Sequence, residues 1–305
     1  MFRLLTVLGV FLVGAAGAGE TVLIPAGPFI MGSDEVDTSF KSKEFGSRKP
    51  FFADEHPQRN IDLPAFKIDK YEVTQAEYAK FVVSKGRVAP ASWIKNGYAM
   101  SLRRNRVAGL SEAELRSLVS EVFRLDLDAN ALDKTQLLAE IEKRWASLDT
   151  LPVTYVSWHD ADEYCRWAGG ALPSEAQWEK AARGPEGYVY PWGNEWQPGL
   201  NNTGEQAWPE GVAPVGSYPT DRSVYGVYDL SGNAYEWVDD WYQAYPGSDY
   251  RSDDFGRKFK VVRGYGAGAE GHYALSHFQR GAHRLFLNPD TTNAAQGFRC
   301  VKRDR

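Results

Sequence analysis

Cysteine is scarce in this chain: Cys165 and Cys300 are the only two among 305 residues. No long basic run occurs, and a formal net charge of -5 with a pI near 5.7 gives no electrostatic reason to expect nucleic-acid binding. Beyond the N-terminus no apolar stretch reaches the length of a bilayer-spanning helix. No cysteine stands directly after the apolar N-terminal run, which argues against a lipoprotein. No segment repeats with a period of about 20–50 residues, which argues against solenoids and propellers.

What is present is ordinary globular composition, 43% hydrophobic and 25% charged, enough for one large domain or two small ones. Aromatics make up 13%, many of them beside Gly, Asn or Pro rather than in periodic runs. That placement predicts a loop-rich fold whose irregular backbone is anchored by large side chains. The N-terminus reads as a targeting segment. Arg3 supplies a short positive region, Leu4 to Val13 an apolar run too short to span a bilayer, and Ala16-Gly17-Ala18 a small-residue cleavage site. Residues 1–18 are therefore expected to be a signal peptide; the alternative is an uncleaved anchor. The mature protein is expected to be periplasmic or secreted, with no membrane span after cleavage. In an oxidising compartment, an even pair of cysteines is most economically read as one disulfide.

Residues 20–33 read as two short strands around a Pro/Gly turn, and residues 34–60 as a long polar loop. Ile61 to Tyr71 reads as a further strand. Thr74 with Glu77 forms a capping box that opens a helix with Tyr78, Phe81 and Val82 on its apolar face. Residues 111–148 differ in texture, being rich in Leu, Glu, Arg and Ala. Leu115, Leu118, Val119 and Val122, then Leu137, Leu138, Ile141 and Trp145, predict two amphipathic helices joined by the acidic turn Asp126 to Asp133. Asp160 to Trp167 reads as a helix after the Ser157-Trp158-His159 turn, and Ser174 to Arg183 as another, with Pro173 before its cap. From Gly184 onward, short strands and long ordered loops are expected.

Several strings occur in order along the chain. They begin with Ile24-Pro25-Ala26-Gly27-Pro28-Phe29-Ile30-Met31-Gly32, Lys70-Tyr71-Glu72-Val73-Thr74 and Pro152-Val153-Thr154-Tyr155-Val156-Ser157-Trp158. Tyr164-Cys165-Arg166-Trp167, Leu172-Pro173-Ser174-Glu175-Ala176-Gln177-Trp178-Glu179 and Tyr190-Pro191-Trp192-Gly193-Asn194 follow. The last are Gly226-Val227-Tyr228-Asp229-Leu230-Ser231-Gly232-Asn233-Ala234-Tyr235-Glu236-Trp237 and Gly297-Phe298-Arg299-Cys300. Together they resemble the formylglycine-generating enzyme (sulfatase-modifying factor) family. Residues 94–148 are the main stretch without a match. The resemblance implies an α+β fold class: a single variant C-type-lectin-like domain over residues 19–305, low in regular structure. A helical insertion would fall at about 96–148.

The resemblance also assigns chemistry. Cys165 and Cys300 match the family's structural disulfide. A structural calcium is implied at Asp229 and Glu236 through carboxylates and at Gly232 and Ala234 through carbonyls, oxygen donors that suit the ion. The alternative is a plain turn in which Asn233 and Glu236 bond backbone. A second family calcium site falls at Asn201 to Gln206, where Gln206 stands in place of an acidic ligand. In the family's enzymes a stretch like Val261-Val262-Arg263-Gly264 precedes two cysteines that bind copper(I) and oxidise a substrate cysteine with oxygen. Tyr265 to Arg284 contains none, so copper is not expected. Three of the five histidines, His272, His277 and His283, stand there instead, among Tyr265, Glu270 and Tyr273.

His272, Tyr273 and His277 are thus candidates for a replaced catalytic set; another metal is left open, and the alternative is loop histidines bonding backbone. Arg280 and Arg284, with Tyr265, are candidates for a substrate groove that holds a carboxylate or sulfate-like group. The alternative is buried pairing with carboxylates such as Asp239 or Asp240. The helical insert reads as a surface decoration, a partner-docking element or a lid. The function expected is an exported protein that modifies or binds a peptide or peptide-derived substrate, or engages a periplasmic protein partner, without copper-dithiolate chemistry. The alternatives are a non-catalytic calcium-stabilised binding or accessory module and, disfavoured by the missing thiols, a genuine formylglycine-generating oxidase. Whether the protein is an enzyme stays open.

Overall fold

The structure, a computed structural model, describes residues 19–44, 46, 49–268 and 275–302. The expected signal peptide at 1–18 lies outside the described residues. Strands β1 (Thr21–Ile24) and β2 (Gly27–Met31) flank the Pro25-Ala26 turn. The polar stretch that follows holds one helical turn, α1 (Lys41–Glu44). Ile61 to Tyr71, expected as one strand, is divided between β3 (Arg59–Leu63) and β4 (Phe66–Asp69). Pro64 lies at the break, where its missing N–H could not serve a ladder. The break lets the two halves join different sheets, β3 with β2 and β4 with β1.

Helix α2 (Gln75–Lys85) begins at the reciprocal Thr74–Glu77 capping box and ends at Gly86 in the left-handed region, φ +62°. The stretch up to residue 149 carries α3 (Ala91–Lys95), α4 (Arg104–Ala108), α5 (Glu112–Ser117) and α6 (Lys134–Asp149). Then come α7 (Trp158–Trp167), capped by Ser157, the short strand β5 (Gly170–Ala171), and α8 (Glu175–Arg183), capped by Ser174. After Gly184 regular structure thins to β6 (Tyr235–Trp241), β7 (Lys260–Arg263), α9 (Leu275–Phe278), β8 (Leu285–Leu287), β9 (Gln296–Gly297) and β10 (Val301–Lys302). The fold class is α+β. One sheet runs β1-β4-β10-β5, a second β2-β3, and a third β8-β7-β6-β9.

The largest core joins Tyr78, Phe81, Tyr164 and Phe298 to Trp93, Leu115, Leu137, Ile141 and Trp145 from the helical stretch. That stretch therefore shares the central core and does not sit on it as a decoration. A second core packs Trp178, Ala181 and Ala182 of α8 against Ile24, Ile68, Val238 and Val261.

Cys165 of α7 and Cys300, just ahead of β10, form a disulfide between fully buried sulfurs, with Cα atoms 5.6 Å apart. It closes a loop with a sequence separation of 135, for which chain entropy gives at most about 4–5 kcal/mol. Denatured, unreduced protein should accordingly titrate no thiol with a chromogenic reagent. Two reactive thiols per chain would contradict the pairing.

Candidate functional site

The polar loop between β2 and β3 folds over α9 and encloses a cavity of about 310 Å³. Asp37 shapes the loop: its carboxylate accepts from the backbone N–H of Lys41 (2.9 Å) and Ser42 (2.8 Å) at the start of α1. The floor is aromatic. The His277 ring stacks on Phe51 with centroids 3.8 Å apart, and Phe52 meets His277 edge-on at 4.9 Å. The Arg280 guanidinium lies 4.3 Å from the Phe52 ring centre. Tyr190 stacks on Trp192, and its hydroxyl donates to the carbonyl of Ser276 (2.7 Å), tying the far wall to α9. Phe52 holds φ +69°, costly for a bulky side chain, so its neighbours impose this conformation.

Of the expected catalytic set, only His277 is described; His272 and Tyr273 lie outside the described residues. Burial first, then the Arg280 and Lys49 charges, push the His277 pKa down to about 2. Its ring is neutral and stacked, which makes it a wall of the cavity and a poor acid–base group at neutral pH. His283 is driven well below its ordinary value by burial.

Of the groove candidates, Arg280 lines this cavity, whereas Tyr265 and Arg284 do not. Tyr265 is fully buried and packs edge-on against Tyr235, away from the cavity. Arg284 is buried and grips Glu175 through Nε (2.7 Å) and Nη2 (3.0 Å), while its Nη1 donates to the carbonyl of Asp54 (2.7 Å). Arg280 pairs bidentately with the fully buried Glu55, one contact being 2.8 Å. The carboxylates that hold these arginines are thus Glu55 and Glu175; Asp239 instead lies 3.6 Å from Lys260, and Asp240 accepts from the N–H of Glu175 (2.6 Å). Arg280 still lines the cavity, and its buried Nε has no hydrogen-bond partner among the described residues.

Helix α8 carries a buried electrostatic knot. Glu175 and Glu179, four apart and so on one helix face, reach three buried arginines. Glu175 takes Arg263 (2.8 Å) as well as Arg284, and Glu179 takes Arg263 (2.8 Å) and Arg183 (2.6 Å). Burial pushes the Glu179 carboxyl up, but Arg263 and Arg183 outweigh it and hold the pKa below the usual carboxylate value.

The expected calcium residues lie in a separate buried cluster. Glu236 is bidentate with Arg299 (2.7 and 2.6 Å) and accepts from Trp178 Nε1 (2.9 Å). Asp229 accepts from the N–H of Gly216 (2.7 Å). Glu72 accepts from the N–H of Ala234 (2.9 Å) and from Asn233 Nδ2 (2.8 Å), while Asp221 accepts from the N–H of Ser231. Burial, then the Asp229 and Glu236 charges, raises Glu72 well above its ordinary value. Burial and Asp229 push Asp221 to about 8, and burial outweighs the Gly216 hydrogen bond and Arg299 to hold Asp229 at about 6. Four buried carboxylates thus gather around one guanidinium. Hard oxygen donors with surplus negative charge fit calcium by type, although both Glu236 oxygens already accept hydrogen bonds. Among the described residues no three His, Cys, Asp or Glu side chains form a metal-binding group. In the neighbouring loop, Asn202 donates to the Gly211 carbonyl and Asn233, and Gln206 bonds Tyr218.

Sequence reading missed Phe51, Phe52, Glu55 and Tyr190 as cavity or clamp residues. The Phe51-Phe52 pair inside an otherwise polar loop was the available signal. None of residues 96–148 lines the cavity, so the helical stretch is not its lid.

The chain matches the family described as sulfatase-modifying factor enzyme 1-like domain over residues 14–304. The formylglycine-generating enzyme of Bos taurus is 30% identical, the match covering 92% of this chain and 74% of the relative. The inactive C-alpha-formylglycine-generating enzyme 2 of Bos taurus is 31% identical, covering 93% and 89%. Among solved structures, PvdO from Pseudomonas aeruginosa superposes with a TM-score of 0.57 at 22% identity, covering 93% of this chain and 94% of that one.

Proposed function

The chain belongs to the sulfatase-modifying factor family, and from that premise we propose that it is an exported protein that binds a peptide or peptide-derived ligand without performing the copper-dithiolate oxidation. One observation carries the reading: both cysteines are consumed in one disulfide, and Tyr265 to Arg284 supplies no other thiol. The cavity over α9 is the binding site in this reading. Its stacked rings offer faces to an apolar or aromatic side chain. The Tyr190–Ser276 wall offers polar contacts. A neutral His277 and ion-paired arginines favour binding over acid–base catalysis. The likeness to a relative named as inactive runs the same way. Export accords with a buried disulfide, which persists in oxidising compartments.

The test is retention of short peptides, including a sulfatase-type cysteine peptide, on immobilised protein, followed by mass spectrometry. Retention that falls with Phe52→Asp, and peptides recovered at unchanged mass, is the expected result. A mass change would make the protein an enzyme. Retention indifferent to Phe52→Asp would remove the cavity from the reading.

Calcium belongs to the same reading as a structural ion held by Asp229 and Glu236 carboxylates and Gly232 and Ala234 carbonyls. When bound it would neutralise part of the buried negative charge. The sign of the pH effect follows from the raised values of Asp221 and Asp229. Their contribution to stability is fully present below their ordinary value of 3.8 and is lost as pH rises through about 6 and about 8. Chelated protein should therefore lose several degrees of Tm as pH rises across this window, and calcium should restore most of that loss. Coincident melting curves with calcium and with chelator at high pH would exclude the ion.

A further inference from the structure

A second cavity, of about 540 Å³, opens on the other part of the molecule, between the turn after α2 and helices α3 to α5. It shares no lining residue with the cavity over α9. Met100, Leu102, Val107, Leu110 and Leu118 give it an aliphatic floor without an aromatic ring, and no Asp or Glu lines it. Three arginines stand around it. Arg87 is held by Asp160 (2.8 Å) and Glu163 (3.1 Å). Arg103 and Arg106 are exposed and, among the described residues, have no ion-pair or side-chain hydrogen-bond partner. Ile94 is 67% exposed at the rim, an apolar side chain left uncovered beside two free cations.

We propose that this groove binds an anionic amphiphile: an acyl chain on the aliphatic floor, with a carboxylate or phosphate head group at Arg103 and Arg106. An alkyl chain makes no hydrogen bonds, so a floor that supplies none costs it nothing. An extended peptide laid there would leave its backbone amides unpaired. The volume is that of a small-ligand site, and Met100 can adapt to chains of differing shape. Arg103 and Arg106 supply the charge complement that the floor lacks, and no acidic residue lines the groove beside them.

The test is calorimetric titration of the full protein with dodecanoate and, as the phosphate source, a dodecanoyl lysophosphatidic acid. Chain-matched dodecyl maltoside and dodecyltrimethylammonium serve as controls, all below their micelle thresholds. Both anions should bind saturably, and the neutral and cationic chains about tenfold more weakly or not at all. The doubly substituted Arg103→Glu/Arg106→Glu protein should lose about tenfold in affinity for either anion with its melting temperature unchanged. Because both side chains are exposed, that variant is expected to fold; Ile94→Asp, at an exposed rim position, gives an independent loss of binding. Added salt should weaken the anions and spare the neutral chain. Equal binding of neutral and anionic chains, or an affinity unmoved by the charge reversal, overturns the proposal. So does occupancy by an acidic helical peptide or a second copy of the chain in place of the amphiphile.

Discussion

Glu175→Ala should destabilise the protein by about 3–5 kcal/mol, because it strips the carboxylate from two buried cations at once. Glu175 is the ion-pair partner of Arg284 through both of its oxygens, shares Arg263 with Glu179, and accepts from the Tyr245 hydroxyl (3.2 Å). Arg263 and Arg284 are essentially inaccessible to water, so neither can exchange the lost partner for solvent. Against a typical folding free energy of about 5–15 kcal/mol, such a loss would leave many chains unfolded at physiological temperature. The measurement is denaturant unfolding, read as a fall in the midpoint with an unchanged slope. Glu175→Gln keeps the shape and should still lose much of the stability. The double change Glu175→Ala with Arg284→Met should recover part of it, since removing both partners costs less than orphaning one. A loss below about 1 kcal/mol for Glu175→Ala would show that water or a neighbouring carboxylate can take over the arginines. The same knot sets acid sensitivity. Glu179 has a folded pKa below its ordinary 4.5, so its contribution is present above that value and is lost as pH falls through the lower folded one.

No conversion of a sulfatase-type cysteine peptide to its aldehyde is expected, with or without added copper. Copper(I) in the family's reaction is held by two thiolates, and thiolate is the common side chain soft enough to hold it in that way. Here the two thiols are oxidised to one another in a fully buried disulfide that joins α7 to the chain ahead of β10. The assay is mass spectrometry of the peptide after incubation with oxygen and reductant. Activity should fall from that of a genuine oxidase to background. Time-dependent loss of the thiol mass with gain of the aldehyde mass would overturn the reading. It would also make His272, Tyr273 and His277 the first residues to replace.

Much of the fold was legible because it rests on local rules. The capping boxes at Thr74 and Ser111 lie where Thr or Ser meets Glu three residues later; those at Ser157 and Ser174 follow the same rule but were not drawn from it, and α7 begins at Trp158 rather than at Asp160. The pairing of Cys165 with Cys300 needed only an even count and the family match. The division of Ile61 to Tyr71 into two strands was foreshadowed by Pro64 but not drawn from it.

The sequence by itself determined membership of the family, the absence of a thiolate pair after Arg263, and the spacing that puts Glu175 and Glu179 on one face of α8. These follow from residue identity and from periodicities of a few residues. Tertiary structure alone decided which carboxylate each arginine meets. Arg280 reaches Glu55, 225 positions away, and Arg284 reaches Glu175, 109 positions away. It decided that Tyr265 is buried, that His277 stacks neutrally on Phe51, and that the helical stretch joins the central core rather than the cavity. The physical reason is that a buried charge takes whichever opposite charge the packing brings within hydrogen-bond reach. In a fold built from long ordered loops, that partner is set by chain crossings that no local pattern encodes.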